Sequence, residues 1–350
     1  MTPRRFVNLI PRKFLLIKIF NYLKFQFSRI TSFKTLNYLP VTMDVEPTTG
    51  CNFRCTMCQV SSPNFKANNM ELSTFKKLIS DNKQLIKIKL QGMGEPLVNK
   101  NIYEMIEFAK EYGIATEIIC NGSMLNKKNI SKLLENNLAK LTVSIDGASK
   151  KVFENIRVKS NFDDVISNSF TFKEMTRDKF LRPEFSAWST IQESNYDEID
   201  EIAKLCKKIG FDDLTYQVFL TGWGKNEWEK INNKKNIDYR NLEVKEKFDA
   251  VISKYSSSNF KIKVFEENLL TYKKKCCWPW NSSYVSAKGN IVPCCIIGDP
   301  NVIDMGNITK KSFKDIWYSE KYKSFRHKIS NNELEEFCKN CYFEHNNKQN

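Results

Sequence analysis

Between residues 41 and 219, short apolar and β-branched runs alternate with longer segments whose apolar positions recur every three or four residues. The runs, at 41–46, 85–91, 115–120, 141–145, 185–191 and 214–219, predict strands. Helical periodicity occupies 71–82, 101–112, 127–138, 161–175 and 196–209. Six such repeats imply a parallel sheet with helices outside it, because parallel neighbours need crossover connections. Six repeats rather than eight favour an α/β partial (β/α)6 barrel, with ligands at the loops that follow the strands. After 225 the repeat stops. A Lys/Asn-rich stretch leads into a predicted helix at 240–256, an alternating strand at 260–265 and a cysteine-dense segment from 276 to 341. The expected organisation is an N-terminal helix in 1–38, a barrel over 39–225, a linker with a helix over 226–269, and a smaller α+β domain over 270–350.

The N-terminal pattern differs. Read at 100° per residue, 13–30 places Leu15, Leu16, Ile19, Phe20, Leu23, Phe27 and Ile30 on one face, with Lys13, Lys18, Asn21, Lys24 and Arg29 opposite. The charges interrupt any apolar run long enough to span a membrane or form a signal-peptide core. Residues 1–40 carry eight basic residues and no acidic one, against a net charge of +15 for all 350 residues. Most of the excess charge is therefore local, which argues against nucleic acid as a partner of the whole molecule. Two readings of the helix stand: it packs its apolar face on the protein's own body, or residues 1–36 lie on an anionic membrane surface. The first is adopted as the expectation.

Composition changes the picture through cysteine. The chain is 41% hydrophobic and 27% charged, a globular balance, yet it holds eleven cysteines and only two histidines. An odd count with two Cys-x-x-Cys pairs and no signal peptide points to ligation in a reducing, cytoplasmic compartment, at most peripheral to the inner membrane surface. Cys51, Cys55 and Cys58 sit in the loop after the first strand. Three thiolates so close can converge on one centre, while a structural zinc site wants four ligands and no fourth Cys or His lies nearby. A three-cysteine structural loop is the alternative.

Cys-x3-Cys-x2-Cys in this position, with Met57 before the last cysteine, resembles the signature of the radical S-adenosylmethionine superfamily. The resemblance implies a [4Fe–4S] cluster on Cys51, Cys55 and Cys58 whose fourth iron is chelated by the cofactor. One-electron reduction would then release a 5′-deoxyadenosyl radical that abstracts a substrate hydrogen. Later strand ends fit in order. Gly92-Met93-Gly94-Glu95-Pro96 is similar to the family's Gly-Gly-Glu-Pro element, which receives the cofactor's amino group, with Met93 at the first glycine position. Asn121-Gly122 is similar to the turn beside the cofactor ribose. Ser144-Ile145-Asp146-Gly147 resembles the family's Ser-Ile-Asp-Gly, and Arg157 stands where the family often places a carboxylate-binding arginine.

In the second cysteine group, Gly289-Asn290 between alternating runs reads as a hairpin that brings Cys294 near Cys276. Strand neighbours point to opposite faces, so each tandem pair, Cys276-Cys277 and Cys294-Cys295, should offer one thiolate and bury the other. With Cys338 and Cys341 this leaves four ligands, for zinc or for a cluster. Downstream of such a core the segment resembles a SPASM or shortened "twitch" domain. That resemblance implies one auxiliary [4Fe–4S] cluster and selects Cys276, Cys294, Cys338 and Cys341. Cys120 and Cys206 read as buried small hydrophobes, and His327 and His345 carry no assigned role.

The family resemblance implies an enzyme served by a flavodoxin- or ferredoxin-type electron donor. The catalytic base is not identifiable; Glu46, Tyr216 and Gln217 lie on strands near the site, and Trp223 is a candidate for the pocket mouth. With only about 40 residues before the first strand, no room is expected for a leader-binding domain. The substrate expectation is therefore a small polar metabolite such as a sugar, aminocyclitol or nucleoside. A peptide-modifying maturase is the alternative, and a non-catalytic iron–sulfur or zinc scaffold the remote one.

Overall fold

The computed structural model describes residues 13–31, 36–179, 182–266, 270, 275–339 and 341–342. It divides into two compact units, one formed by 1–49, 67–117 and 267–350, the other by 50–66 and 118–266. The strands are β1 (Thr42–Val45), β2 (Arg54–Cys55), β3 (Lys87–Leu90), β4 (Ala115–Cys120), β5 (Lys140–Ser144), β6 (Arg157–Val158), β7 (Glu184–Thr190), β8 (Asp213–Gln217), β9 (Lys261–Phe265), β10 (Tyr284–Val285), β11 (Asn290–Val292) and β12 (Gly306–Asn307). The fold is α/β with mostly parallel strands.

In the first unit β1 lies between β3 and β10 and is parallel to both. The β10–β11 hairpin turns at Gly289, whose φ of 81° suits a residue without Cβ, and β12 extends it antiparallel. The C-terminal segment, expected to stand apart, is thus stitched onto the edge of the first strand. Its core is tied to the same unit by Trp317, whose indole N–H donates to the Tyr38 carbonyl at 3.0 Å.

The N-terminal helix, Leu15–Ile30, also docks here, but with the opposite face to the expected one. Lys18 is buried, its Nζ donating to the carbonyls of Leu85 at 2.7 Å and Gly113 at 2.6 Å, and burial lowers its pKa to about 8. Asn21 exchanges two hydrogen bonds with the Leu39 backbone, and Phe25 packs on Tyr38. The polar side is inward because buried carbonyls supply partners that the helix's own pattern does not reveal.

In the second unit β5, β7, β8 and β9 pair in parallel. The segment expected as a linker belongs to this unit, since β9 extends the sheet and the helix Leu242–Tyr255 buries Phe248 and Val251. The helix Ile199–Ile209 shows why such segments fold: Ile199, Ile202, Ala203, Cys206 and Ile209 form one buried stripe, and Gly210 at φ 89° ends it.

Candidate active site

The first cysteine group lies in the second unit, in a loop fastened on both sides. Cys55 pairs with Arg157 and Arg54 with Val158 across the short β2–β6 ladder, and the Thr56 N–H donates to the Ile156 carbonyl at 2.9 Å. Met57 is buried against Ile156 and Leu220. The Lys/Asn-rich stretch supplies the opposite clamp. Asn232 Nδ2 donates to the carbonyls of Met57 at 3.1 Å and Thr221 at 2.8 Å, Lys235 Nζ to that of Thr56 at 2.6 Å, and Lys225 Nζ to Gln59 Oε1 at 2.8 Å. Sequence reasoning missed these residues, because only the fold brings them 166 to 179 positions back along the chain.

Donors also point at sulfur. The Phe53 N–H lies 3.4 Å from Cys51 Sγ, Asn121 Nδ2 lies 4.0 Å from the same atom, and Arg157 Nη1 lies 4.0 Å from Cys55 Sγ. Burial pushes the free thiols up, Cys55 to about 11 and Cys58 to about 12, with Arg157 pulling the other way. This environment suits thiolates whose charge is delocalised onto a metal cluster and would penalise free thiolates.

Arg157 does not present an unoccupied fork. Its Nη2 lies 2.6 Å from Oδ2 of fully buried Asp146, whose Oδ1 accepts from the Thr190 N–H at 2.8 Å. Gly147 permits this turn, since a Cβ there would stand 2.7 Å from the Phe153 nitrogen. The Asp146-Gly147 pair therefore orients the Arg157 guanidinium, whose Nη1 reaches toward Cys55. Asn121 is likewise turned to the cysteine loop: Nδ2 donates to Asn52 Oδ1 at 2.9 Å, and Oδ1 accepts from the Ser123 hydroxyl at 2.7 Å.

Register places Ser144, Trp188, Thr215 and Lys263 in one row, with Thr190, Gln217 and Phe265 in the next row on the same face. Trp188 Nε1 donates to Gln217 Oε1 at 3.2 Å, and the Trp188 and Phe265 rings lie 5.8 Å apart. Alternation through 184–190 together with this register would have singled out Trp188. Tyr216 points the other way and donates to the Ile199 carbonyl at 2.5 Å, so it is not a base for chemistry on this face. Trp223 packs edge-on against Trp228 at 6.2 Å.

The glycine-rich turn after β3 belongs to the first unit. Glu46, buried at the end of β1, accepts from the Met93 N–H at 3.0 Å through Oε1 and from the Ala287 N–H at 3.1 Å through Oε2, and it also bonds Tyr284. Desolvation raises its pKa to about 7 against these hydrogen bonds. Gly92 must lack a side chain, because a Cβ would lie 2.4 Å from Glu46 Cγ. Glu95 is buried and caps the turn Pro96–Val98, accepting from the Leu97 N–H at 3.2 Å.

In the same unit Cys276, Cys294, Cys338 and Cys341 line one cavity, together with Pro279, Phe325, Ile329, Phe337 and Tyr342. Cys277 is exposed rather than buried and accepts from Asn281 Nδ2 at 3.1 Å, while Cys295 stays out of the lining. Among the described residues no three His, Cys, Asp or Glu groups close around a point as the ligands of a single ion do. Four thiols lining one apolar cavity supply the donor set of an iron–sulfur cluster or of a zinc ion. Cys120 and Cys206 are buried in the core, His327 pairs with Asn331, and His345 lies outside the described residues.

The family model described as the Radical SAM superfamily matches residues 45–233, more than half of the chain, and the chain belongs to that superfamily. A second model, the SPASM iron-sulfur cluster-binding domain, matches residues 276–342. The first domain binds a [4Fe–4S] cluster and S-adenosylmethionine, and the second binds auxiliary iron–sulfur clusters. The chain is 24% identical over 317 residues to the AdoMet-dependent heme synthase of Methanosarcina barkeri, covering 85% of this chain and 87% of the relative. It is 20% identical over 314 residues to the PqqA peptide cyclase of Bradyrhizobium diazoefficiens, covering 87% and 79%. The fold is similar to that of Streptococcus suis SuiB bound to its precursor peptide SuiA, with a TM-score of 0.68 at 18% identity over 87% of this chain and 72% of that one.

Proposed function

We propose that this radical S-adenosylmethionine enzyme modifies a peptide. The carrying observation is the near full-length likeness to a peptide cyclase, supported by the shared fold with SuiB, whose structure holds a precursor peptide. This displaces the small polar metabolite expected from the sequence, which rested on the length before the first strand rather than on a recognition site. The face carrying Ser144, Trp188, Gln217 and Phe265 offers an aromatic wall and an amide, suited to holding a side chain and the backbone beside it.

Cys51, Cys55 and Cys58 hold the first cluster in this reading, and Cys276, Cys294, Cys338 and Cys341 the auxiliary one. When bound, the first cluster and S-adenosylmethionine supply a one-electron route to a carbon radical. The chain's own residues do the rest. Arg157, oriented by Asp146, sets positive charge beside Cys55, and Lys225, Asn232 and Lys235 hold the loop. Asn121 fixes the loop's far side. Gly92, Met93, Gly94 and Glu95 would offer backbone and carboxylate to the cofactor's amino group, the Asn121-Gly122 turn would lie beside its ribose, and Ser144 would complete the cofactor-binding set. A flavodoxin- or ferredoxin-type protein supplies the electron.

Anaerobic incubation of the reconstituted protein with reductant, S-adenosylmethionine and candidate precursor peptides tests the proposal. A mass change in the peptide, coupled to 5′-deoxyadenosine release, is expected. Turnover confined to tetrapyrroles, sugars or nucleosides would overturn the peptide reading and favour a small-molecule enzyme like the heme synthase relative.

A further inference from the structure

The docking of the N-terminal helix leaves its apolar face outside. Leu16, Phe20, Leu23, Phe27 and Ile30 are 69, 63, 58, 60 and 82% exposed, and Ile17, Ile19 and Tyr22 extend the stripe. The helix cannot roll to bury them, because Lys18, Asn21 and Phe25 fix the opposite face through two carbonyls, a paired backbone contact and a ring contact. A contiguous apolar strip of this size on a secured helix marks a contact surface.

Charge identifies what covers it. Lys24 flanks the strip, Lys13 and Arg29 sit nearer the docked face over the Tyr112 and Phe25 rings, and residues 1–40 contain no acidic residue to answer them. The spacing of four and three along the strip would also suit a second copy, but a self-paired seam would bring two strongly basic segments together with no carboxylate in either. An anionic lipid surface complements both features at once, taking the apolar side chains into its boundary layer and the basic ones at its headgroups. Among the described residues no helix is long and apolar enough to cross a membrane, so the helix would lie in the plane.

We infer that the exposed face of Leu15–Ile30 seats the protein on anionic membrane surfaces, with the enzyme body held beside the lipid by the buried polar face of the same helix.

Flotation of the full reconstituted chain with vesicles tests this. Vesicles of phosphatidylcholine alone and of phosphatidylcholine with about 30% phosphatidylglycerol are compared at about 50 mM and about 500 mM salt, where Debye screening differs strongly. The expected result is binding to anionic vesicles at low salt, several-fold weaker at high salt and on neutral vesicles. The variant L16S/F20S/L23S/F27S should lose about tenfold or more of this binding while keeping the wild-type melting temperature, because all four side chains are already in solvent. Failure of the wild type to bind anionic vesicles would overturn the inference, as would unchanged binding by the variant. Wild-type dimers in light scattering that the variant abolishes, without lipid binding, would assign the face to a second copy instead. A variant that melts well below wild type would show that the stripe is covered by the protein itself.

Discussion

Gly92 and Glu46 occupy a space that admits one side chain. In G92A the new methyl would meet Glu46 at 2.4 Å, so either the carboxylate leaves the Met93 and Ala287 amides or the turn shifts. The cost should be about 1–3 kcal/mol, read by urea unfolding, with weaker S-adenosylmethionine binding by calorimetry. Glu46 also has a pH signature. Its folded pKa of about 7 lies above its ordinary 4.5, so between these values the folded state binds the proton the unfolded state has released. Stability should fall as pH rises through that window, by about 3 kcal/mol at most, and E46Q should flatten the slope. A slope unchanged in E46Q would assign it to another group. At the Asp146–Arg157 pair the charge is buried, so D146N leaves a guanidinium without its counter-charge and should cost about 3–5 kcal/mol. That loss, measured in the apo protein by urea unfolding, would separate the pair's structural role from any effect on the cluster.

The two cysteine groups differ in how far local pattern revealed them. The first was legible because three cysteines in a strand-end loop are a local arrangement. The clamp from Lys225, Asn232 and Lys235 was not, since it depends on tertiary return of a distant segment. The hairpin was legible from Gly289-Asn290, whereas the choice of Cys294, which lines the cavity, over Cys295, which does not, came from the family resemblance and not from alternation, since both lie beyond the strand. The N-terminal helix shows the limit of the same reasoning. Its amphipathic face was read accurately, but which face docks was decided by carbonyls of Leu85 and Gly113, 67 and 95 residues away. Iron content tests the cysteine assignments. About eight irons per chain are expected after anaerobic reconstitution, and about four in C51A/C55A/C58A, taking one cubane per site. C277A and C295A should match wild type, whereas C276A and C294A should lose iron from the auxiliary site. Zinc in place of iron in the triple variant would remove the auxiliary cluster from the account.

Across the molecule, the strand pattern from 41 to 219 gave the parallel architecture, yet the division into units cuts across sequence order. The cause is physical: β10 pairs with β1, the first strand, so the C-terminal segment completes the unit that the N-terminal segment begins. That closure sets the glycine-rich turn and the auxiliary hairpin on one buried carboxylate, because Glu46 accepts from Met93 on one side and Ala287 on the other. Both loops therefore relax or tighten with the same group, and Tyr284 on β10 bonds it as well. One auxiliary cysteine lies on the continuation of that hairpin, Cys294, two residues beyond β11. Loss of the auxiliary cluster should loosen the hairpin, free part of Glu46's hydrogen bonding and weaken the hold on Met93. C338A/C341A is thus expected to bind S-adenosylmethionine about fivefold more weakly, a coupling of about 1 kcal/mol, while keeping the iron of the first cluster. Calorimetry on the anaerobic variant, with iron counted in the same sample, measures both. Affinity equal to wild type with the iron halved would show that the two loops share Glu46 without sharing their energetics. In E46Q, where the shared acceptor is already weakened, the same cysteine changes should have a smaller effect, and full additivity would count against Glu46 as the link.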